Sequence, residues 1–197
     1  YYSHNPVVRW LFFKRLRDAS CFIARIKPKV LLDLGCGDGT FIRLLQQNRL
    51  LPPGLYAIDY NTNVQNLTRQ MPFCNFSRQN LLQTNFADHA FDAIVALDVL
   101  EHIQFIEKAL TEIKRILKTQ KYLITSEPTE SILYKTLRFM TKGTFSMETG
   151  PGAGKHYYQA REIDIRVTSL GFKKINSKKI PLPYPLDLFH INLYQKI

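Results

Sequence analysis

The sequence predicts a doubly wound α/β fold, and three observations predict it. Short apolar runs alternate with segments of helical periodicity from Val30 to Thr125. Glycines cluster where the first of these runs hands over to its helix, at Gly35-Cys36-Gly37-Asp38-Gly39. The final two apolar runs are joined by a Pro-rich link too short to hold a crossover helix, so they pair antiparallel while the earlier strands run parallel.

Pro6 to Ile26 reads as an amphipathic segment, with Val7, Trp10, Leu11, Phe22 and Ile26 among its apolar residues and Arg9, Lys14, Arg15, Arg17 and Arg25 among its basic ones. Val30 to Leu34 is the first strand, and Phe41 to Asn48 follows with apolar residues at helical spacing. Leu55 to Asp59 is the second strand, before a helix around Asn61 to Gln70, and Phe73 to Ser77 is a weaker strand. Phe91 to Leu97 is a strong buried strand. Phe105 to Leu117 carries Ile106, Ala109, Leu110, Ile113 and Ile116 on one helical face, and Tyr122 to Thr125 follows as a strand. Beyond Pro128 the pattern predicts a helix to about Met140, then an irregular glycine-rich loop over Lys142 to Lys155. Gln159 to Leu170 is a helix stopped by Gly171, and Phe172 to Ile180 and Leu188 to Gln195 form the closing pair.

A chain of 197 residues, 45% hydrophobic and 22% charged, suits one globular domain and excludes disorder for its bulk. No apolar stretch approaches the roughly 20 residues of a membrane-spanning helix. Cys21, Cys36 and Cys74 are odd in number and widely spaced, which fits neither a disulfide framework nor a paired metal site and points to a reducing, cytoplasmic home. The chain opens on Tyr1 without Met or a signal sequence, so a trimmed start is expected. The net charge of +11 favours an acidic partner such as nucleic acid or an anionic lipid surface. Its excess sits at the two ends rather than in one run, so a solubilising surface explains it equally well.

Asp33-Leu34-Gly35-Cys36-Gly37-Asp38-Gly39-Thr40 carries the most information. Glycines between a strand and a helix let the backbone turn tightly and approach a ligand at the helix N-terminus. The dinucleotide fingerprint fails because Thr40 occupies its last glycine position, and no Gly-Lys-Ser/Thr is present. Asp59 ends the second strand about 20 residues after Gly39, where a carboxylate can accept both hydroxyls of a ribose. Its alternative role is to cap the next helix.

These residues, with Ala57-Ile58-Asp59 and the run Phe91 to His102, resemble the class I methyltransferases that use S-adenosylmethionine, in particular the type 11 branch. The motifs cover about residues 30 to 125 and leave the substrate open. The resemblance implies a Rossmann-like, seven-stranded, mostly parallel sheet with its last strand antiparallel. One domain over 1–197 is then expected: a lid helix over 1–28, a cofactor-binding core over 29–126, and substrate-side elements over 127–197. By the same resemblance Asp33 stands near the methionine amino group and Gly35 and Gly37 line the methionine and ribose. Asp59 binds the ribose hydroxyls, Asn80 and Leu81 flank the adenine, and Leu97 and Asp98 line the methyl-donor pocket. Asn80 stands where Asp is more usual, and its amide oxygen can still accept from the adenine amino group.

Methyl transfer from a sulfonium is an in-line displacement, for which orienting the pair can supply on the order of 7–11 kcal/mol. A general base is needed only where the acceptor carries a proton at neutral pH. His156 is the candidate catalytic contact to the acceptor, while His102 reads as a structural residue at a helix start. Tyr157 and Tyr158 suit either an acceptor wall or packing. Asp98-x-x-Glu101-His102 partly matches the metal motif of small-RNA 2′-O-methyltransferases, but Phe105 replaces its last histidine, so no metal is expected. Ubiquinone-pathway O-methyltransferases share a similar Glu-His segment, which leaves a weak divalent site as the alternative reading. The expected acceptor is a small molecule or lipid-like compound, with peripheral membrane contact through the N-terminal helix as a further possibility. Rival readings are an RNA or protein methyltransferase, suggested by the charge, a non-catalytic S-adenosylmethionine-binding regulator, and a nicotinamide-binding protein.

Overall fold

The computed structural model describes residues 6–60, 63–129, 155–183 and 186–197. Helix α1 (Pro6–Ile26) ends where Lys27 takes a left-handed φ of 45° and Pro28 follows, since proline has no N–H to continue the helix. Then come β1 (Val30–Leu34), α2 (Thr40–Gln47), β2 (Gly54–Asp59), α3 (Val64–Gln70), β3 (Asn75–Arg78) and β4 (Phe91–Leu97). A 3-10 turn (Leu100–His102) leads into α4 (Ile106–Ile116), β5 (Leu117–Pro128), α5 (Ala160–Ser169), β6 (Phe172–Pro181) and β7 (Asp187–Lys196).

The strands form one seven-stranded sheet in the order β3-β2-β1-β4-β5-β7-β6. Its first five strands are parallel, and β7 pairs antiparallel with both β5 and β6. The fold class read from the sequence is therefore the observed one. Strand alternation divides the core into two layers. Leu31, Ala57, Ala93 and Val95 face Leu16, Phe22, Phe41 and Ile42 of α1 and α2. Leu32, Leu34, Ile58, Ile94 and Leu123 face Ile106, Leu110 and Ile113 of α4 and Ile163 of α5. Both sheet faces are buried, which is why β1 and β4 are apolar on both sides but for Asp33 and Asp92.

Several predicted boundaries shift. The second strand's helix is observed only from Val64, and Asn61 and Thr62 lie outside the described residues. Strand β3 starts at Asn75 instead of Phe73, because Cys74 N–H turns back to the Met71 carbonyl. Strand β5 extends well beyond the predicted Tyr122 to Thr125, its register with β7 running to Pro128 opposite Phe189. The helix predicted to Met140 and all but Lys155 of the predicted glycine-rich loop lie outside the described residues. The three cysteines are free thiols.

Helix α1 lies against α2, β5, β6 and β7. Its buried stripe is Arg15, Leu16, Ala19, Ser20, Phe22 and Ile23, whereas Val7 and Trp10 are 61% and 52% exposed. The packing residues of this helix thus belong to its C-terminal half, and its first turns present apolar side chains outward. Among the described residues, no helix is long and apolar enough to cross a membrane.

Candidate functional site

The sheet reverses its winding between β1 and β4, and ligands of open α/β sheets bind beyond the carboxyl ends of strands at such a switch. A cavity of about 650 Å³ occupies this position, lined by Gly35 after β1, Asp59 at the end of β2 and Tyr60 after it, Gln79 to Leu82 after β3, and Asp98, Val99 and His102 to Phe105 after β4.

At one end, backbone geometry dominates. Gly35 and Cys36 both donate their N–H groups to the Ile58 carbonyl, tying the turn to β2. Gly37 donates its N–H to Asp59 Oδ2 at 3.0 Å. Gly35 has φ +67°, and a Cβ there would stand 2.5 Å from Val99 Cγ2, so this position requires glycine on both conformational and steric grounds. Beneath the turn, Asp33 is 3% exposed and its Oδ2 lacks a hydrogen-bond partner among the described residues. Burial, reinforced by Asp59, pushes its carboxyl up to about 8. A buried acid in this condition gains most from a ligand that brings a cation to it. Burial and nearby Asp33 also push the Cys36 and Cys74 thiols up, Cys74 to about 12, so neither is a ready nucleophile.

Asn80 lines the cavity, and its amide oxygen accepts from the Leu82 N–H at 2.9 Å. That bond shapes the turn, leaving the oxygen's second lone pair and the amide N–H₂ for a ligand. Leu81 lines the cavity as well. Leu97 does not line it: alternation along β4 turns it to the same side as Ala93 and Val95, where it packs against the α1–α2 layer.

At the other end, side chains dominate. Asp98 has φ +57°, a left-handed conformation fixed here by its N–H to the Ser126 carbonyl and by Arg15 Nη1, 2.6 Å from its Oδ1. Arg15 also stacks on Phe189, its guanidinium 4.0 Å from the ring centre. Glu101 is 1% exposed, and burial, then Asp98 and Glu127, push its carboxyl well above the usual range. Glu127 is fully buried at the end of β5, and burial raises it to about 8. His156 does not line the cavity, but its ring meets that of His102 edge-on at 4.8 Å between centres. Burial and then His156 lower the His102 pKa, partly offset by its hydrogen bond to Lys155. Tyr158 packs against the α4–α5 layer and donates to the Gln104 carbonyl, while Tyr157 is 38% exposed.

Of the residues singled out in the sequence, Gly35, Asp59, Asn80, Leu81 and Asp98 line the cavity, whereas Asp33 is buried beneath the glycine turn and Gly37 stands beside it, bonded to Asp59. Arg15, Tyr60 and Val99 were not expected there, and Glu101 and Phe105 were named only within a partial metal motif. An arginine next to the Leu16–Ala19 stripe of α1 was the available signal for Arg15.

Residues 9–177 match the family of methyltransferase domains. The chain belongs to that family. The methyltransferase is 23% identical over 186 residues to a demethylmenaquinone methyltransferase of Bacteroides fragilis, covering 83% of this chain and 76% of that relative. Among solved structures, an S-adenosylmethionine-dependent methyltransferase of Thermotoga maritima, described as a possible histamine N-methyltransferase, superposes with a TM-score of 0.72 at 17% identity, covering 96% of this chain and 91% of the other. The 1,6-didemethyltoxoflavin-N1-methyltransferase of Burkholderia thailandensis, with 1,6-didemethyltoxoflavin and S-adenosylhomocysteine bound, superposes with a TM-score of 0.67 at 17% identity, covering 92% and 78%. A further solved neighbour, from Methanosarcina mazei, is likewise described as dependent on S-adenosylmethionine. The cleft fits that molecule: the Gly35 turn leaves room for a backbone approach, and the buried Asp33 carboxyl suits an ammonium.

Proposed function

We propose that the methyltransferase acts on a small-molecule or lipid-like acceptor, held between α1 and the segment that carries His156. The observation that carries this reading is the cavity's continuity from Asp59 to Phe105, one end polar and backbone-lined, the other walled by Val99, Ile103 and the exposed Phe105 ring. On this reading Asp33 takes the cofactor's ammonium, Gly35 and Gly37 allow its close approach, Asp59 accepts from the ribose hydroxyls, and Asn80 and Leu81 hold the adenine. When bound, S-adenosylmethionine supplies an electrophilic methyl group on a sulfonium. The protein's share is orientation and exclusion of water: Asp98, latched by Arg15, fixes the rim of the methyl-donor pocket, and His156 stands ready on the acceptor side.

A demethylmenaquinone methyltransferase among the relatives and a didemethyltoxoflavin methyltransferase among the neighbours support a small acceptor. The division into lid helix (1–28), cofactor core (29–126) and acceptor side (127–197) belongs to this proposal, with α1 as the lid. A groove along the first turns of α1, lined by Arg9, Trp10, Phe13, Lys14 and Arg17, supports contact with an anionic lipid surface that would deliver such an acceptor. A radiolabelled-methyl assay over hydroxyl, amine and carbon acceptors, with RNA and protein in parallel, tests the reading. Label in a small aromatic or lipid acceptor is expected. Label confined to RNA or protein, or cofactor binding without transfer to anything offered, overturns it.

A further inference from the structure

We propose that Glu101, His102 and His156 bind one divalent transition-metal ion at the acceptor end of the cavity. One ligand atom from each side chain lies within 4.8 Å of the others, a span that modest ring rotations close onto an ion with bonds of about 2.0–2.2 Å. Two imidazoles and a carboxylate are a borderline donor set, suited to zinc, cobalt, manganese or iron(II) rather than to magnesium or calcium. Three protein ligands leave an open coordination position, as in catalytic sites, whereas a structural site is closed by four.

Three observations besides proximity support the assignment. Glu101 is 1% exposed, yet its Oε2 has no hydrogen-bond partner among the described residues, an arrangement that costs free energy unless a cation completes it. His102 Nδ1 lies 3.1 Å from the Lys155 carbonyl and donates to it, which leaves the Nε2 lone pair for a ligand, the outer-sphere pattern typical of metal-bound histidine. The two ligand-bearing stretches are also fastened together: Tyr157 N–H donates to the Glu101 carbonyl at 2.7 Å and Tyr158 Oη to the Gln104 carbonyl at 3.0 Å. The site is thus preorganised by one backbone and one side-chain hydrogen bond that do not involve its ligand atoms.

His102 lines the cavity, so the open position faces the acceptor. This part rests on the acceptor reading above and deepens it: the site would take the oxygen of a hydroxylated acceptor. Held there, the hydroxyl loses its proton to water more readily. Its oxygen forms the new bond to the methyl carbon as the methyl–sulfur bond breaks, and that electron pair stays on sulfur.

The test is titration of chelator-stripped, full-length protein with cobalt(II), followed by visible absorption, with S-adenosylhomocysteine affinity measured on the same samples. One ion per chain with tetrahedral-type bands is expected. His102→Gln and His156→Gln should each weaken binding at least about 100-fold, beyond the 10–100-fold typical of losing an outer-sphere partner. Glu101→Gln, which keeps the shape of the buried side chain, should do the same. Folded wild-type protein that binds S-adenosylhomocysteine but shows no saturable cobalt bands overturns the proposal, as do bands that survive both histidine variants. Failure of S-adenosylhomocysteine to bind would instead strike at the cofactor placement and leave the cobalt result to stand by itself.

Discussion

At the β1–β2 end of the cavity the groups that face a ligand come from neighbouring stretches of chain, whereas at the Asp98–Phe105 end they come from remote ones. The first end is a glycine turn hydrogen-bonded to Ile58 and Asp59, with Asp33 buried below. The second depends on Arg15 reaching from α1 to Asp98 and on residues 155–158 fastened to the 3-10 turn. Where the backbone sets the geometry, exchanging a side chain changes affinity for a ligand whose position is already defined. Where side-chain latches set it, an exchange changes which molecule is admitted.

The largest effect expected to sharpen this contrast is a pH dependence. Asp33 and Glu127 are both raised to about 8 by burial, so between pH 4 and 8 the folded chain keeps protons that the unfolded chain has lost. Stability of the ligand-free protein should therefore fall as pH rises across that window, by on the order of a few kcal/mol, and level off above it. Asp33→Asn should flatten part of that fall in urea titrations. Wild-type affinity for S-adenosylhomocysteine should increase over the same pH range, and Asp33→Asn should lose that increase. An unaltered profile in the variant would separate Asp33 from the cofactor end.

Gly35→Ala comes next. The left-handed φ costs an L-residue about 1–2 kcal/mol, and the clash with Val99 adds to it, so both unfolding midpoint and cofactor binding should drop. Asp59→Ala should weaken S-adenosylhomocysteine by about 1.5–3 kcal/mol in calorimetry, the range for hydrogen bonds to a charged group, and unchanged affinity would move the ribose elsewhere. Smallest is Trp10→Ala: on an exposed first turn it should alter stability by no more than about 0.5 kcal/mol, while reducing co-sedimentation with anionic vesicles. Undiminished co-sedimentation would remove the lipid-surface role of α1.

The same contrast explains what could be read from the sequence. The β1–β2 end is legible because its signals are local: Gly35 and Gly37 stand beside a strand of five residues, and Asp59 closes the next strand. The sheet, including its antiparallel close, is legible because Val30 to Leu34 and Phe91 to Leu97 are buried on both faces and are apolar but for Asp33 and Asp92. Leu97 misleads for the same reason, since being next to Asp98 says nothing about which way alternation turns it. The acceptor end is less legible. His156 was singled out, but its meeting with His102 and Glu101 depends on hydrogen bonds from residues 155–158 that no spacing announces. The Phe105 position, examined alone, suggested an incomplete ligand set, because the third side chain arrives from the far side of β5. Arg15 was read as part of a basic helix face and is instead buried, at 5% exposure, with its charge answered by Asp98.

The central claim is that one cavity holds the cofactor at its β1–β2 end and the acceptor at its Asp98–Phe105 end. A crystal structure with S-adenosylhomocysteine tests it most directly. The account predicts the ribose hydroxyls on Asp59, the amino group toward Asp33, and the sulfur directed at the space beside Asp98 and His102. A ribose bound away from Asp59, or a sulfur directed away from that space, would contradict it.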